Sequence, residues 1–175
     1  MIRRCDAKDF DAVWALINQA ARAYEGVIPA DRWKEPYMPR QELRREIKAG
    51  VEFWGCQEKG ELLGVMGMQN VGDMTLVRHA YVRPDRQRRG IGSRLLRHLL
   101  RLTERPMLVG TWRAAEWAVR FYEGHGFQRL PPELTRRLLR KYWSIPERQV
   151  ETSVVLADRR WLEGHAVREG GSVGQ

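Results

Sequence analysis

The sequence predicts an α+β domain, layered α/β/α, and two observations predict it. Segments with apolar residues at three- and four-residue steps, typical of amphipathic helices, alternate with short apolar segments typical of strands. Two of the strand segments are joined by Glu58-Lys59-Gly60-Glu61, which indicates a hairpin turn and therefore an antiparallel pair. A chain with this order of elements covers one sheet with helices.

The first half of the chain is predicted to hold four strands and two helices. Residues 2–5 form a short strand, and Asp9 can cap a helix that carries apolar residues at helical spacing as far as Ala21. Three prolines exclude a continuous helix from residues 24–39. The segments that follow are a polar helix and three strands, at residues 41–48, 51–57, 62–68 and 74–82.

The second half continues the alternation of helices and strands. Helices are predicted at residues 91–102, 114–123 and 131–143, and strands at 107–112, 127–130 and 149–156. From residue 157 onward glycine and charge dominate, so we expect a loosely ordered tail over residues 157–175. Since no repeat or linker divides the rest, we expect a single domain over residues 1–156.

The composition narrows the class of protein. A chain of 175 residues with 43% hydrophobic and 30% charged residues can form one globular domain with a core. No apolar run approaches the roughly 20 residues that a membrane helix needs, and residues 1–6 lack the core of a signal peptide. Cys5 and Cys56 lie far apart and no HExxH occurs, so we expect neither a disulfide scaffold nor a metal site. These features fit a cytoplasmic protein that does not associate with membranes.

The formal net charge of +9 comes from arginines that are dispersed over predicted helix faces. A dispersed positive charge supports nucleic-acid binding only weakly, and we expect no nucleic-acid partner. Arg86, Arg88 and Arg89 are an exception, because they crowd one short turn between a predicted strand and a predicted helix.

That turn, residues 83–93, is the most informative segment of the chain. Gly90 and Gly92 allow backbone N–H groups to approach a phosphate, and the positive end of the helix dipole points at the same place. A Walker loop is excluded because no Gly-Lys-Ser/Thr follows, and a dinucleotide loop because Leu95 stands where its third glycine is required. The turn therefore predicts a polyphosphate site of another kind.

The pattern Gln-x-x-Gly-x-Gly over residues 87–92 resembles the acetyl-CoA pyrophosphate loop of the GNAT N-acetyltransferase superfamily. Tyr81-Val82-x-Pro84 before it and Phe121-Tyr122-Glu123-x-x-Gly126-Phe127 after it strengthen the resemblance, which covers residues 2–156. The resemblance implies the GNAT fold. That fold is a mixed, mostly antiparallel sheet of six to seven strands, splayed at a cleft for acetyl-CoA.

The resemblance also implies which residues bind the cofactor. Tyr81 and Val82 would lie beside its pantetheine arm. The residues expected around its pyrophosphate are Gln87, Arg88, Arg89, Gly90, Ile91, Gly92 and Ser93. Tyr122 matches the family tyrosine that protonates the departing thiolate, although it could instead only pack beside Phe121 and Phe127. Many members carry an asparagine seven residues before that tyrosine, and here the position is Ala115.

The base that deprotonates the amine has a weaker signal. His79 lies on the cofactor strand, and histidine is a common general base, but a hydrogen-bonded structural histidine is an equal alternative. The alternation of side chains along a strand puts His79 on the face of Tyr81 unless a bulge redirects it.

The loop at residues 24–38 corresponds to the segment that covers the acceptor site in GNAT enzymes. It combines acidic and aromatic residues, and Glu25, Trp33 and Tyr37 could hold a cationic amine by charge and cation–π contact. Alternatively, its aromatic residues fill the core beneath a long loop.

We therefore expect an acetyl-CoA-dependent N-acetyltransferase that acetylates a primary amine, with a small molecule favoured, by direct attack in a ternary complex. Two alternatives remain: a protein lysine or N-terminal acetyltransferase, and a non-catalytic acyl-CoA-binding regulatory module. A homodimer is possible, because the final strand and the basic segment at 131–143 could support one.

Overall fold

A computed structural model describes residues 1–170, with side chains described for residues 1–166. The strands are Ile2–Arg4 (β1), Glu52–Glu58 (β2), Glu61–Val71 (β3), Met74–Val82 (β4), Met107–Trp112 (β5), Gln128–Arg129 (β6) and Ser153–Ala157 (β7). The helices are Phe10–Ala21 (α1), Arg40–Lys48 (α2), Ile91–Leu102 (α3), Glu116–Glu123 (α4), Pro132–Tyr142 (α5), Glu147–Glu151 (α6) and Arg159–Gly170 (α7). The strands form a seven-stranded, mostly antiparallel sheet in the order β1-β2-β3-β4-β5-β7-β6. The predicted α+β class is confirmed.

The chain divides into two compact units. The first unit comprises Met1–Asn70 and Val77–Glu104, and the second comprises Val71–Leu76 together with the chain from Arg105 onward. The single domain over residues 1–156 therefore stays a prediction.

In the first unit, α1 and α2 pack against strands β2 and β3. Ile17 of α1, Leu43 of α2 and Val65 of β3 are all fully buried in this core. Helix α3 also packs closely on β3: a Cβ at Gly64 would lie 2.7 Å from Ile91 Cγ2, closer than real Cβ contacts allow. Glycine at position 64 therefore permits the close packing that fixes the start of α3.

In the second unit, α5 and α7 cover β5 and β7. The core includes Leu108, Leu139, Val155 and Trp161, and Trp161 is only 4% exposed. Asp158 connects β5 to the start of α7, because its Oδ1 accepts the backbone N–H groups of Met107 at 3.0 Å and Trp161 at 3.1 Å. Helix α7 is thus anchored to the sheet through side chain and backbone.

Two predictions near the end of the chain were wrong. The strand expected at 149–156 begins only at Ser153, because Pro146 starts the short helix α6 and accepts the N–H groups of Gln149 and Val150. The loosely ordered tail expected over 157–175 contains the last residue of β7 and helix α7. The high glycine content of residues 157–175 gave no indication that Trp161 would be buried. Residues 171–175 of that tail lie outside the described residues.

The cap expected from Asp9 is also different. Asp6 caps a 3₁₀ turn at Ala7–Asp9, and Asp9 completes a capping box by accepting the Asp6 N–H at 2.8 Å. Asp9 makes no side-chain cap bond to α1. Its carboxylate instead accepts two hydrogen bonds from Arg3, at 2.7 and 2.8 Å.

Candidate functional site

The turn between β4 and α3 adopts a conformation that its glycines permit. After a 3₁₀ turn at Pro84–Arg86, Gly90 takes the N-cap position of α3 with φ of +75°, in the left-handed region. Arg88 also has a positive φ, of +62°. A residue with a Cβ is strained in the left-handed region, so position 90 favours glycine on backbone grounds alone.

Backbone donors without a helical partner lie where this turn meets α3. The first helical hydrogen bond of α3 runs from the Arg94 N–H to the Gly90 carbonyl, at 3.0 Å. The N–H groups at 91–93 precede that bond and have no partner within the helix. Together with the positive end of the helix dipole, they suit an anion.

The arginines of the turn divide into two pairs. Arg83 forms two hydrogen bonds of 3.1 Å with Asp85, and Arg86 Nε lies 3.4 Å from the same carboxylate. The hydrogen bonds from Arg83 hold the pKa of Asp85 below its ordinary value. Arg88 and Arg89 are exposed and have no ion-pair partner among the described residues. Two positive charges are therefore left for an anionic ligand.

The predicted pantetheine residues lie at the end of β4. Tyr81 and Val82 are half-buried, and the next residue, Arg83, donates its backbone N–H to the Leu63 carbonyl of β3 at 2.9 Å. Gln87 Nε2 donates to the Val82 carbonyl at 3.4 Å. Gln87 thus stabilises the turn through its own side chain.

His79 interrupts the regular geometry of β4. Its φ of +50° lies in the left-handed region, which a residue with a Cβ rarely adopts. The ring stacks on Phe53, with centroids 6.1 Å apart. Its Nε2 is hydrogen-bonded to Glu46 Oε2. Because an ionised carboxylate only accepts, the bond places the proton on Nε2 and leaves Nδ1 able to accept one.

Glu46 of α2, the partner of the candidate base His79, was not predicted from the sequence. It also accepts a hydrogen bond from Arg78 at 3.1 Å, and its side chain is only 18% exposed. Burial alone would raise the pKa of Glu46, but the hydrogen bond with His79 and the nearby positive charges lower it below the ordinary value. The available signal was spacing, since Glu46 lies three residues after the buried Leu43 on the same helix face.

The predicted acceptor loop supplies an aromatic row that reaches β4. Trp33 stacks on Tyr37 at 5.9 Å, Tyr37 contacts Tyr24 at 5.4 Å, and Tyr24 contacts Tyr81 edge-on at 6.2 Å. Burial raises the pKa of Tyr24, and a hydrogen bond with Tyr81 offsets part of that shift. Glu25 follows Tyr24 and is exposed, without an ion-pair partner in the described part of the chain.

Tyr122 belongs to the second unit, whereas the other predicted site residues belong to the first. It is 4% exposed on α4, and its ring lies 5.0 Å from that of Phe121 and 5.6 Å from that of Phe127. This packing is what we expect if Tyr122 has only a structural role. Ala115, where many GNAT members carry asparagine, is fully buried immediately before α4.

Two features are absent from the described residues, a metal-binding cluster and a membrane-spanning helix. No three or more His, Cys, Asp or Glu side chains among them form a group that could hold a metal ion. None of the helices within residues 1–170 combines the length and the apolar character that crossing a membrane requires.

Comparisons with known proteins identify the family and agree with the fold. A model of the acetyltransferase (GNAT) domain family matches residues 18–141. The structure resembles that of the PaiA N-acetyltransferase from Thermoplasma acidophilum in complex with coenzyme A, with a TM-score of 0.67 and 14% identity over 90% of this chain and 97% of the other. It also resembles the ribosomal-protein-S18-alanine N-acetyltransferase from Escherichia coli, with a TM-score of 0.61 and 17% identity over 90% of this chain and 92% of the other.

A third similar structure is N-acetylglutamate synthase from Neisseria gonorrhoeae, complexed with coenzyme A and L-arginine. Its TM-score is 0.57 at 21% identity, and the match covers 91% of this chain and 32% of that longer one. No protein of curated function matches the sequence at a significant level. The structural matches agree on one fold.

Proposed function

Because the chain belongs to the GNAT acetyltransferase family, we propose that it transfers the acetyl group of acetyl-CoA to a primary amine, by direct attack in a ternary complex. The observation that carries the proposal is the turn before α3. There, backbone N–H groups without a helical partner and a left-handed Gly90 meet two arginines that form no ion pair with any described residue. Similar structures that hold coenzyme A support it.

In this proposal the turn binds the pyrophosphate. The N–H groups at 91–93 donate to phosphate oxygens, and Arg88 and Arg89 neutralise their charge. Tyr81 and Val82 lie beside the pantetheine arm. Acetyl-CoA supplies an activated thioester, so the chain itself has to orient the two reactants and move protons.

His79 is the proposed general base. Its Nδ1 accepts the proton that the attacking amine loses, and Glu46 holds Nε2–H by a hydrogen bond. Glu46 stays ionised at neutral pH because its pKa is lowered, so it also stabilises the imidazolium that forms. Glu46 is therefore a positioning residue and acts only through His79.

Tyr122 is the proposed acid. Its phenol would donate a proton to the departing thiolate, the role of the matching tyrosine in the family that this chain resembles. Phe121 and Phe127 pack against the ring and fix its orientation.

The acceptor would lie against the aromatic row. Trp33, Tyr37 and Tyr24 offer ring faces to a cationic amine, and the exposed Glu25 adds negative charge. These residues would bind a compact, positively charged acceptor, which favours a small molecule over a peptide.

We also assign the protein to the cytoplasm. Cys5 and Cys56 are both free thiols, as a reducing compartment maintains. Burial raises the pKa of the Cys5 thiol to about 11, so that thiol is a poor nucleophile. This supports direct attack by the amine over a route in which Cys5 first accepts the acetyl group. A homodimer and the absence of a nucleic-acid partner stay predictions.

Thiol release from acetyl-CoA, measured across polyamines, amino acids and lysine peptides, tests this function. We expect turnover with at least one small amine and none with peptides. Turnover on peptides alone would replace the small-molecule acceptor with a protein. Acetyl-CoA binding without thiol release from any amine would favour the non-catalytic module, and no binding at all would refute the proposal.

A further inference from the structure

The second unit contains a groove at the sheet edge where β6 and β7 meet the start of α5. We call it the arginine groove. The polar residues that line it are Arg113, Arg129, Thr135, Arg136, Glu151 and Ser153. None of them belongs to the first unit or to the turn before α3.

The groove carries uncompensated positive charge. Arg129 is exposed and has no ion-pair partner within the described residues. Arg113 donates from Nη2 to the backbone carbonyl of Glu151 at 2.9 Å, which holds its guanidinium in place without neutralising it. The carboxylate of Glu151 lies 3.9 Å from Arg148. Arg136 is paired with Glu133 on the exposed side of α5.

A serine hydroxyl also lines the groove. Ser153 is 5% exposed as a residue, and its side chain makes no hydrogen bond to any residue that the structure describes. Its oxygen is accessible from the groove, since it is not one of the fully buried polar atoms without a partner, and it can donate to an acceptor atom of a ligand. Thr135, by contrast, already donates to the Leu130 carbonyl at 3.3 Å.

The start of α5 adds backbone donors. Its first helical hydrogen bond joins the Thr135 N–H to the Pro131 carbonyl at 2.9 Å, so the N–H groups of residues 133 and 134 have no helical partner. The helix dipole places partial positive charge at the same end. Guanidinium groups, a hydroxyl and a helix start are all donors, and acceptor-only oxygens satisfy them best.

We propose that the arginine groove binds an oxyanion, a carboxylate or phosphate group, with Arg129 and Arg113 as its charged contacts and Ser153 as its hydroxyl donor. Guanidinium groups match the planar, two-oxygen geometry of such ligands. The groove is a second anion site, built from residues that the proposed acetyl-CoA turn does not use.

Isothermal titration with inorganic phosphate and with succinate, at constant ionic strength, tests the groove. We expect wild-type protein to bind one of the two, and Arg129→Gln to weaken that binding about tenfold, the effect of losing one charged hydrogen bond. Arg137→Gln is the matched control, because Arg137 is the exposed neighbour of Arg136 on α5 and does not line the groove. Ser153→Ala, which removes only the hydroxyl, should weaken binding as well.

Phosphate bound at the turn before α3 would contribute equally to all these variants, and repeating the titration with saturating coenzyme A removes that contribution. The test therefore does not depend on catalysis. Binding of phosphate alone identifies a phosphate ligand, and binding of succinate alone a carboxylate. Equal weakening by Arg129→Gln and Arg137→Gln, or no binding of either anion, overturns the proposal.

Discussion

At the scale of single residues, the contact between His79 and Glu46 joins a strand to a helix that lies 33 residues earlier in the chain. The carboxylate determines which imidazole nitrogen carries the proton. The pair also explains why a charged side chain is tolerated on the inner face of α2, since Arg78 and His79 both compensate it.

We predict that Glu46→Gln lowers kcat at least about tenfold, because an amide cannot stabilise the imidazolium that forms during proton transfer. Acetyl-CoA affinity should change by less than about twofold. Steady-state kinetics with separate kcat and KM values check this. Glu42→Gln, one turn earlier on α2 and paired with Lys34 at the surface, is the control and should keep full turnover.

A second residue-scale prediction concerns Tyr122. Tyr122→Phe should lower kcat by about a hundredfold, the lower end of general acid catalysis, with acetyl-CoA binding nearly unchanged. Tyr142→Phe removes another hydroxyl of the same unit, which donates to Asp73 at 2.8 Å, and should cost only about 1 kcal/mol of stability. A Tyr122→Phe rate within about twofold of wild type would leave Tyr122 a packing residue.

At the scale of elements, the turn before α3 shows how a short motif can be recognised without its tertiary context. Strand, turn and helix are consecutive in the chain, and the left-handed φ of Gly90 is a property of the local backbone. The anion-binding character follows from the helix start itself.

Gly90→Val should abolish acetyl-CoA binding, because valine is strained at a φ of +75° and would distort the donor groups. Gly60→Val is a matched control. Gly60 has a φ of +83° in the hairpin turn, and a Cβ at either glycine meets no atom within 4 Å. Both variants should lose stability, and only Gly90→Val should lose the calorimetric binding signal. Retained binding in Gly90→Val would remove the turn from the site.

A single buried aromatic side chain, that of Trp161, anchors helix α7. Trp161→Ala should destabilise the protein by about 3–5 kcal/mol, the usual cost of removing a buried tryptophan. Arg159→Ala on the exposed side should change the unfolding free energy by less than about 0.5 kcal/mol. Urea denaturation followed by circular dichroism measures both, and equal midpoints would show that α7 adds little to the fold.

At the scale of the whole molecule, the net charge of +9 makes the folded state less stable in acid, because protonation of carboxylates increases the positive charge and its self-repulsion. Asp9 is the clearest case. Its hydrogen bonds from Arg3 are the main reason that its pKa falls to about 2.

A lowered folded-state pKa means that Asp9 contributes stability above its unfolded pKa and loses it as the pH falls. The difference in unfolding free energy between wild type and Asp9→Asn should therefore be constant near neutral pH and shrink between about pH 4 and pH 2. Urea titrations at several pH values measure it. A difference that does not change with pH would show that the Arg3–Asp9 contact is not coupled to folding.

Much of this fold could be predicted because residues close together in the sequence mark the ends of its helices and strands. The predicted bounds of β4, α3 and β5 match the observed ones, since glycine, proline and charge mark their ends. The aromatic residues of the acceptor loop were identified from composition, but their arrangement as a row ending on Tyr81 was not. That row depends on the position of β4 in the fold, which no local sequence pattern predicts.

The sequence by itself determined the family, the order of the main elements as far as α5 and the glycine turn before α3, because each of these depends on residues that are neighbours in the chain. Only the tertiary structure decided that Glu46 holds His79, that Trp161 anchors α7 and that Arg113, Arg129 and Ser153 line one groove. These side chains meet across long sequence separations. Packing of the core and neutralisation of buried charge select their positions, and neither can be evaluated until the elements are placed in three dimensions.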